Sequence, residues 1–217
     1  MKVLFACGGT AGHINPALAV ATELRRRVPD CEILFVGNPG GMEATLVPRA
    51  GFRFAPYRSM GIQRRFSWNN IKYNAKSVCL LVTARSRAKR ILRDFAPDVV
   101  MGTGSYISAP ILLAAAALRI PCMTHEANAL PGVSNRMVAQ KVDKFLLAVP
   151  EAEKHLPPRP DYIVTGNPVR ALRAARRSLR PTGPPPAPVW GSGRDSCAFC
   201  PSGAAWAHKP SMRPSPM

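Results

Sequence analysis

The sequence predicts an α/β fold with a doubly wound parallel sheet. Short apolar runs such as Val3–Ala6 and Ile33–Val36 have the length of buried strands, and each precedes a segment with apolar residues at helical spacing. Glycine-rich turns separate the two kinds of segment. This alternation is typical of helices packed on both faces of a parallel sheet, in which ligands bind at the carboxyl ends of the strands.

The first half of the chain is predicted to contain three strands and three helices. Each strand is rich in β-branched or aromatic residues, and each helix shows apolar residues at intervals of three or four. The first predicted helix begins at Pro16. The predicted elements are strand Lys2–Ala6, helix Pro16–Arg27, strand Glu32–Val36, helix Gly41–Ala50, strand Phe52–Pro56 and a long basic helix, Trp68–Phe95.

The second half continues the alternation. Its strands are again short apolar runs, and small residues such as Gly104 and Gly132 mark the turns before its helices. The predicted elements are strand Pro97–Gly102, helix Ser108–Leu118, strand Ile120–His125, helix Gly132–Lys141, strand Lys144–Ala148 and strand Tyr162–Val164.

Length and composition favour one domain and a tail. With 217 residues, 47% of them hydrophobic, the chain can bury one substantial core, which we expect over residues 1–170. Residues 171–217 are rich in proline and arginine without apolar periodicity, a composition typical of disorder. No apolar run reaches the roughly 18 residues of a membrane-spanning helix. Met1 leads directly into the first strand, which argues against a signal peptide and for a cytosolic protein with reduced cysteines.

The turn after the first strand is the strongest functional signal. Gly8, Gly9 and Gly12 let the backbone approach a ligand closely, and the following helix presents unpaired N–H groups to an anion such as phosphate. No Lys-Ser/Thr pair follows, which argues against a Walker loop, and the glycine spacing argues against a dinucleotide site. His13 directly after the glycines favours an anion site over a turn without a ligand.

Three further turns follow predicted strands, at residues 102–108, 125–128 and 165–170. Because the carboxyl ends of parallel strands share one edge of the sheet, we expect these turns to converge near His13. Taken alone, Glu126 is equally consistent with a helix-capping acid, and Asn128 with a turn former. Their shared edge favours a role in a site.

The net charge of +18 is concentrated in one segment. No Asp or Glu occurs between Glu43 and Asp94, where cations alternate with aromatic and aliphatic residues. Such a segment suits an anionic bilayer surface; a nucleic acid or an ordinary solvated helix face also fits it. We favour the membrane, and the residues expected to face it are Arg64, Arg65, Phe66, Trp68, Lys72, Lys76 and Arg85.

Five motifs, in order along residues 1–170, resemble a known family. They are Gly8–Pro16, Met42-Glu43, Gly102–Tyr106, His125–Asn128 and Gly166–Arg170. Together they are similar to the N-terminal domain of the MurG family of peptidoglycan N-acetylglucosaminyltransferases, within glycosyltransferase family 28. Ala11 and Ser105 stand where that family often has glycine. The resemblance implies the N-terminal, Rossmann-like half of a two-domain GT-B glycosyltransferase.

The resemblance also implies a hexosyltransferase of cell-wall biogenesis, and thereby of cell shape and division. The implied reaction is the inverting transfer of N-acetylglucosamine from UDP-GlcNAc to the C4 hydroxyl of lipid I, which gives lipid II and UDP. The implied partners are these two substrates and the anionic inner-membrane surface, without nucleic acid, cofactor or metal. The implied location is peripheral, at the cytoplasmic face of the bacterial cell membrane.

Carried onto this sequence, the resemblance makes His13 the candidate general base, because an imidazole titrates near neutral pH and accepts a proton from an attacking hydroxyl. Glu126 is expected to orient or assist His13. The expected substrate contacts are Thr10, Ala11, Gly12, Gly104, Tyr106, Asn128 and Arg170.

The chain departs from the family after Arg170, where the resemblance leads us to expect a second, donor-binding domain and the sequence has the tail instead. Bases that encode Cys200–Pro214, read one position earlier, can spell a sequence similar to the start of that missing domain. We hypothesise a frame shift after about residue 170, which sequencing of the coding DNA tests. We therefore expect little or no activity from this chain alone. The alternative function is a non-catalytic basic module that binds anionic membrane or nucleic acid.

Overall fold

The computed structural model describes residues 1–59 and 83–168, which build a seven-stranded sheet with parallel pairing between all neighbours. Its spatial order is β3-β2-β1-β4-β5-β6-β7, so the chain reverses its direction across the sheet between β1 and β4. The predicted doubly wound parallel sheet is confirmed. The strands are β1 (Lys2–Ala6), β2 (Glu32–Gly37), β3 (Arg53–Pro56), β4 (Val99–Gly102), β5 (Cys122–Glu126), β6 (Lys144–Leu147) and β7 (Tyr162–Val164).

Helices cover both faces of the sheet. Apolar side chains of the first two helices pack on one face, and those of the next three pack on the other. A 3-10 helix, Pro150–His155, joins β6 to β7. The α-helices are α1 (Ala11–Arg27), α2 (Glu43–Arg49), α3 (residues 83–95), α4 (Ser105–Ala117) and α5 (Val133–Val138).

The central strand β1 is buried on both sides. Phe5 stacks on Phe35 with ring centroids 5.0 Å apart, in the cluster under α1 and α2. Leu4 belongs to the opposite cluster, together with Leu92 of α3 and Ile111 of α4. Burial on both faces explains the unbroken apolar run of this strand. It also holds the turn after Ala6 at a fixed place on the sheet edge.

Two helices begin earlier than predicted, and each has a proline inside it. The first, α1, begins at Ala11 rather than at Pro16, and α4 also begins before its predicted start, with Pro110 inside it. The prediction treated proline as a helix start, whereas here the extended residue Thr10 caps α1 and Pro16 lies in its second turn. His13 therefore lies in the first turn of α1, not in a loop before it.

Several predictions fall outside the described residues. These are the tail over residues 171–217, the boundary at Arg170 and most of the predicted helix Trp68–Phe95. The described residues all belong to one compact unit. Within them, no helix has the length and apolar composition needed to cross a membrane. Buried, free thiols were expected at four cysteines; Cys7, Cys31 and Cys122 confirm this, and Cys79 lies outside the described residues.

Candidate functional site

The loops after β1 and β4 meet where the chain reverses direction across the sheet. Val3–Ala6 of β1 pairs directly with Val99–Gly102 of β4, so the carboxyl ends of the two strands are adjacent. In doubly wound sheets, ligands bind at this position. We call residues 7–10 the glycine loop and residues 103–106 the β4 turn.

Two hydrogen bonds clamp His13 to the β4 turn. Its Nδ1 lies 2.8 Å from the backbone oxygen of Thr103, and the Thr103 hydroxyl donates to the backbone oxygen of His13 over 2.6 Å. Because a carbonyl oxygen only accepts, Nδ1 carries the hydrogen. In the neutral ring Nε2 then holds the lone pair, and no group in residues 1–59 or 83–168 donates to it. The half-buried imidazole thus presents Nε2 as a proton acceptor.

Gly104 occupies the narrow space between His13 and Asn135. A Cβ at this position would lie 2.9 Å from Nδ1 of His13 and 3.4 Å from Nδ2 of Asn135. Its φ of +85° is also a conformation that favours glycine. On the other side of the turn, the Tyr106 ring packs against Gly9, 3.5 Å from where a Cβ would be. Both loops are therefore shaped by close contact with each other.

The first turn of α1 presents free backbone N–H groups. Thr10 is the N-cap residue, but its side chain makes no capping hydrogen bond, and the first turn holds no acidic residue. The N–H groups of Thr10, Ala11 and Gly12 have no acceptor within the described part of the chain. With the positive end of the helix dipole, these three amides suit an anion with several oxygens.

Glu126 is fully engaged inside the β5–α5 loop (residues 127–132). Its Oε1 accepts hydrogen bonds from the backbone N and from Nδ2 of Asn128, both at 2.9 Å. Its Oε2 accepts from the backbone N of Gly132 at 3.0 Å and from Nδ2 of Asn135 at 2.9 Å. No hydrogen bond joins Glu126, expected to orient or assist His13, to that histidine, because donors of the loop and of α5 bind both of its carboxylate oxygens. In the described part of the chain, Asn135 links Glu126 to the His13 region, because its side chain packs on Gly104.

Residues 3–147, which contain all of these loops, match the profile of the glycosyltransferase family 28 N-terminal domain. The chain belongs to glycosyltransferase family 28. It is 40% identical over 182 residues to the UDP-N-acetylglucosamine--N-acetylmuramyl-(pentapeptide) pyrophosphoryl-undecaprenol N-acetylglucosamine transferase of Acetivibrio thermocellus, covering 83% of this chain and 48% of the relative. The same-named protein of Lactococcus lactis subsp. cremoris is 42% identical over 168 residues, covering 77% and 46%. This family 28 chain thus spans about half the length of the curated relatives it matches.

Solved structures agree with the family assignment. MurG of Acinetobacter baumannii superposes with a TM-score of 0.62 at 27% identity, covering 76% of this chain and 46% of that one. The UDP-GlcNAc 2-epimerase of Neisseria meningitidis, solved with UDP-GlcNAc bound, superposes with a TM-score of 0.59 at 20% identity, covering 84% and 51%. The epimerase likeness shows a shared fold, and the GT-B half expected for a family 28 chain is confirmed.

Most of the predicted site residues of the family 28 domain lie along one edge of the sheet. Thr10, Ala11, Gly12 and His13 form the start of α1, and Gly104 and Tyr106 lie across from them in the β4 turn. Exposed Asn128 turns its amide nitrogen toward Glu126, which leaves its Oδ1 directed away from that carboxylate. Arg170 and six of the seven predicted membrane-facing residues lie outside the described residues; the seventh, Arg85, is exposed on α3.

Three residues of the site were not assigned a role from the sequence. Thr103 clamps His13, Asn135 links the β5–α5 loop to Gly104, and buried Glu43 lies under the glycine loop. Thr103 lies in the motif Gly102–Tyr106, so a sequence signal for it existed. Asn135 had the pattern of an ordinary helix residue, and Glu43 had that of an acid at a helix start. The described residues contain no cluster of three or more His, Cys, Asp or Glu side chains placed to hold a metal ion.

His125 ties the end of β7 to β5. Its Nε2 donates to the backbone oxygen of Gly166 at 3.1 Å, while its Nδ1 is buried without a hydrogen-bond partner in the part of the chain that the structure describes. Burial lowers the pKa of His125, because a second proton on Nδ1 would find no acceptor. The family 28 domain therefore carries this histidine as a neutral, structural residue.

We expect the stability of the domain to fall as the pH drops below about 6.5, the usual pKa of an unfolded histidine. Below that pH, His125 takes up a proton in the unfolded chain but not in the folded domain. The free energy of unfolding therefore decreases as the pH falls. His125→Gln retains an Nε2 donor for Gly166 and removes the titration. Urea unfolding from about pH 7.5 to about pH 5 should show a shallower pH dependence in this variant. The exposed His155→Gln is the control, and identical slopes for wild type and His125→Gln would contradict the prediction.

Proposed function

We propose that this chain supplies the acceptor-side half of an inverting N-acetylglucosaminyltransferase of peptidoglycan synthesis. Its substrates are UDP-GlcNAc and lipid I, and its products are lipid II and UDP. The names of relatives at 40% and 42% identity support this assignment. The observation that carries the mechanism is the start of α1 at the strand-order reversal, where, among the described residues, Nε2 of His13 has no donor and three backbone amides have no acceptor.

In the proposed reaction, Nε2 of His13 takes the proton of the acceptor C4 hydroxyl as its oxygen attacks C1 of the sugar. The new C1–oxygen bond forms on the face opposite to UDP, and the bond between C1 and the diphosphate oxygen breaks. The carbonyl of Thr103 stabilises the resulting imidazolium, because it already accepts from Nδ1. The amides of Thr10, Ala11 and Gly12 stabilise negative phosphate oxygens. Asn128 and Arg170 contact donor or acceptor.

The basic segment supports a peripheral location at the cytoplasmic face of the membrane. In its described part, α3 buries Ala84, Ala88 and Leu92 against the sheet and exposes Arg85 and Arg90 to solvent. Cations near an anionic bilayer contribute on the order of 1 kcal/mol each, so a row of them suits a membrane that carries the lipid acceptor. The alternative occupant of this surface is nucleic acid.

Titration of the ¹⁵N-labelled chain with a water-soluble lipid I analogue tests the site. We expect amide shifts at residues 10–13, 103–106 and 126–128, which line the sheet edge. Gly104→Ala is the matched variant, because its Cβ displaces the His13 ring and should weaken binding. Shifts confined to other parts of the domain would contradict the proposal.

The basic surface is tested separately. Flotation of the chain with phosphatidylglycerol liposomes is compared with its binding to duplex DNA in the same salt series. DNA binding without flotation would favour nucleic acid as the partner of this surface.

A further inference from the structure

Glu43, the first residue of α2, is completely buried beneath the glycine loop. Its Oε1 accepts a hydrogen bond from the backbone N of Asn38 at 2.8 Å, and its Oε2 accepts one from the backbone N of Gly9 at 3.3 Å. No Lys, Arg or His in the described ranges forms an ion pair with it. Burial of a carboxylate without a cation lowers the stability of the fold. A role in holding the glycine loop would explain why Glu43 is buried here.

The surrounding backbone leaves room for this carboxylate and nothing more. A Cβ at Gly8 would lie 2.2 Å from Oε1, one at Gly37 would lie 2.4 Å from Cγ, and one at Gly41 would lie 2.4 Å from Oε2. These glycines come from the glycine loop, the end of β2 and the turn before α2. Three separate segments therefore close around a single side chain, which fixes them relative to one another.

The carboxylate decides which amides face the ligand side. The N–H of Gly9 is turned inward to Glu43, whereas the next three N–H groups, from Thr10 to Gly12, stay without an acceptor within the described residues. Glu43 does not serve as a cap for α2, since its oxygens bind Gly9 and Asn38. The first turn of α2 makes backbone bonds instead.

A chain of hydrogen bonds extends this control to the β4 turn. Nδ2 of Asn38 donates to the backbone oxygen of Ser59 at 3.1 Å, and Oγ of Ser59 donates to the backbone oxygen of Tyr106 at 3.4 Å. The Tyr106 ring packs against Gly9, so the circuit returns to the loop where it began. The glycine loop and the β4 turn are therefore coupled through Glu43.

We propose that Glu43 is a positioning residue of the anion site: by holding the Gly9 amide inward, it sets the loop so that the amides of Thr10, Ala11 and Gly12 face the phosphate oxygens. The inference rests on the proposed function, which places a diphosphate at these amides. The negative charge of Glu43 and its positioning of the loop have opposite effects on anion binding. A carboxylate behind the loop repels an anion, so its neutralisation alone would tighten anion binding, whereas loss of positioning weakens it.

Glu43→Gln separates the two effects. The glutamine side chain has one oxygen and one NH₂ group, so it satisfies only one of the two backbone N–H groups and opposes the other with a donor. We expect the Kd of the full chain for inorganic pyrophosphate, followed by ¹⁵N amide shifts, to rise by about tenfold, the equivalent of one lost hydrogen bond. The amide signals of Gly9 and Asn38 should move in the free variant.

Two further variants control the experiment. Glu23→Gln makes the same chemical change at an exposed carboxylate near the far end of α1, where Glu23 pairs with Arg26 and Arg27, and should leave pyrophosphate binding unchanged. Glu43→Asp keeps the charge but not the reach to both amides, so it should also weaken binding. Thermal unfolding of each variant confirms that the domain is folded at the titration temperature.

The possible failures are distinguishable. Pyrophosphate binding to Glu43→Gln that equals or exceeds wild-type binding would overturn the positioning role and leave the proposed function standing. Unchanged Gly9 and Asn38 signals in the free variant would overturn it as well. A wild-type chain that does not bind pyrophosphate at all would contradict the anion site of the proposed function, and the inference would fall with it.

Discussion

Replacement of Glu126 by alanine is expected to lower the free energy of unfolding by roughly 3 kcal/mol, because four donors lose a charged acceptor at once. One of these donors, Nδ2 of Asn135 in α5, is buried. Hydrogen bonds to a buried charge are stronger than neutral ones, and a buried donor left unpaired adds its own penalty. Urea unfolding near pH 7 measures the loss directly.

Glu126→Gln tests this prediction without a change in side-chain size. An NH₂ group in place of either oxygen faces two donors, so two of the four bonds are lost although the side chain keeps its size. We expect a destabilisation close to that of alanine. The exposed Glu151→Gln should change stability by less than about 0.5 kcal/mol. A similarly small change for Glu126→Gln would show that the loop does not depend on the carboxylate.

The fold was predictable because β1 and β2 are buried on both faces and read as unbroken apolar runs. The predicted strand bounds of β1 and β7 match the structure residue for residue. Helix starts were less predictable, because proline near the start of a helix does not fix where that helix begins. The first helix was predicted to begin at Pro16, so His13 was placed outside the helix that holds it.

The position of the site on the sheet could be predicted from the sequence, but the hydrogen bonds within it could not. Parallel strands bring their carboxyl ends together, which was enough to place His13 near the turn Gly102–Tyr106. Which groups pair there depends on side-chain reach between distant segments: Thr103 is 90 residues from His13. The family resemblance suggested that Glu126 orients or assists His13, whereas donors of the following loop and of α5 bind both of its carboxylate oxygens.

The backbone conformation of Ser105 could be predicted from a local motif, unlike the side-chain contacts of the site. Ser105 stands where the resemblance led us to expect glycine, and the structure gives it a φ of +81°, a conformation that favours glycine. Its hydroxyl accepts a hydrogen bond from the backbone N of Ile107 at 3.3 Å, which partly supports the turn. Backbone demands of this kind are local and visible in a motif, whereas the burial of Glu43 under three separate segments is not.

Replacement of His13 by asparagine is expected to lower the turnover of a complete enzyme by about 10²–10⁴-fold, the usual contribution of a general base. Asparagine places an amide nitrogen near the position of Nδ1, so the hydrogen bond to Thr103 can be kept while Nε2 is removed. The measurement uses a chimera of residues 1–168 with the C-terminal half of the Acetivibrio thermocellus relative, followed by release of UDP from UDP-GlcNAc in the presence of a lipid I analogue. KM for the acceptor should change little.

His13→Ala in the same chimera removes both the base and the Thr103 contact, so comparison with asparagine separates chemistry from loop geometry. If Nε2 acts as the base, both variants lose turnover to a similar degree, and only alanine also disturbs the amide signals of Thr103 and Gly104. If His13 serves only to fix the β4 turn, asparagine should retain most of the activity. Exposed His155→Gln provides the matched control. Turnover above about a tenth of the parent value in His13→Asn would contradict a general-base role, because such a small loss is typical of a single neutral hydrogen bond.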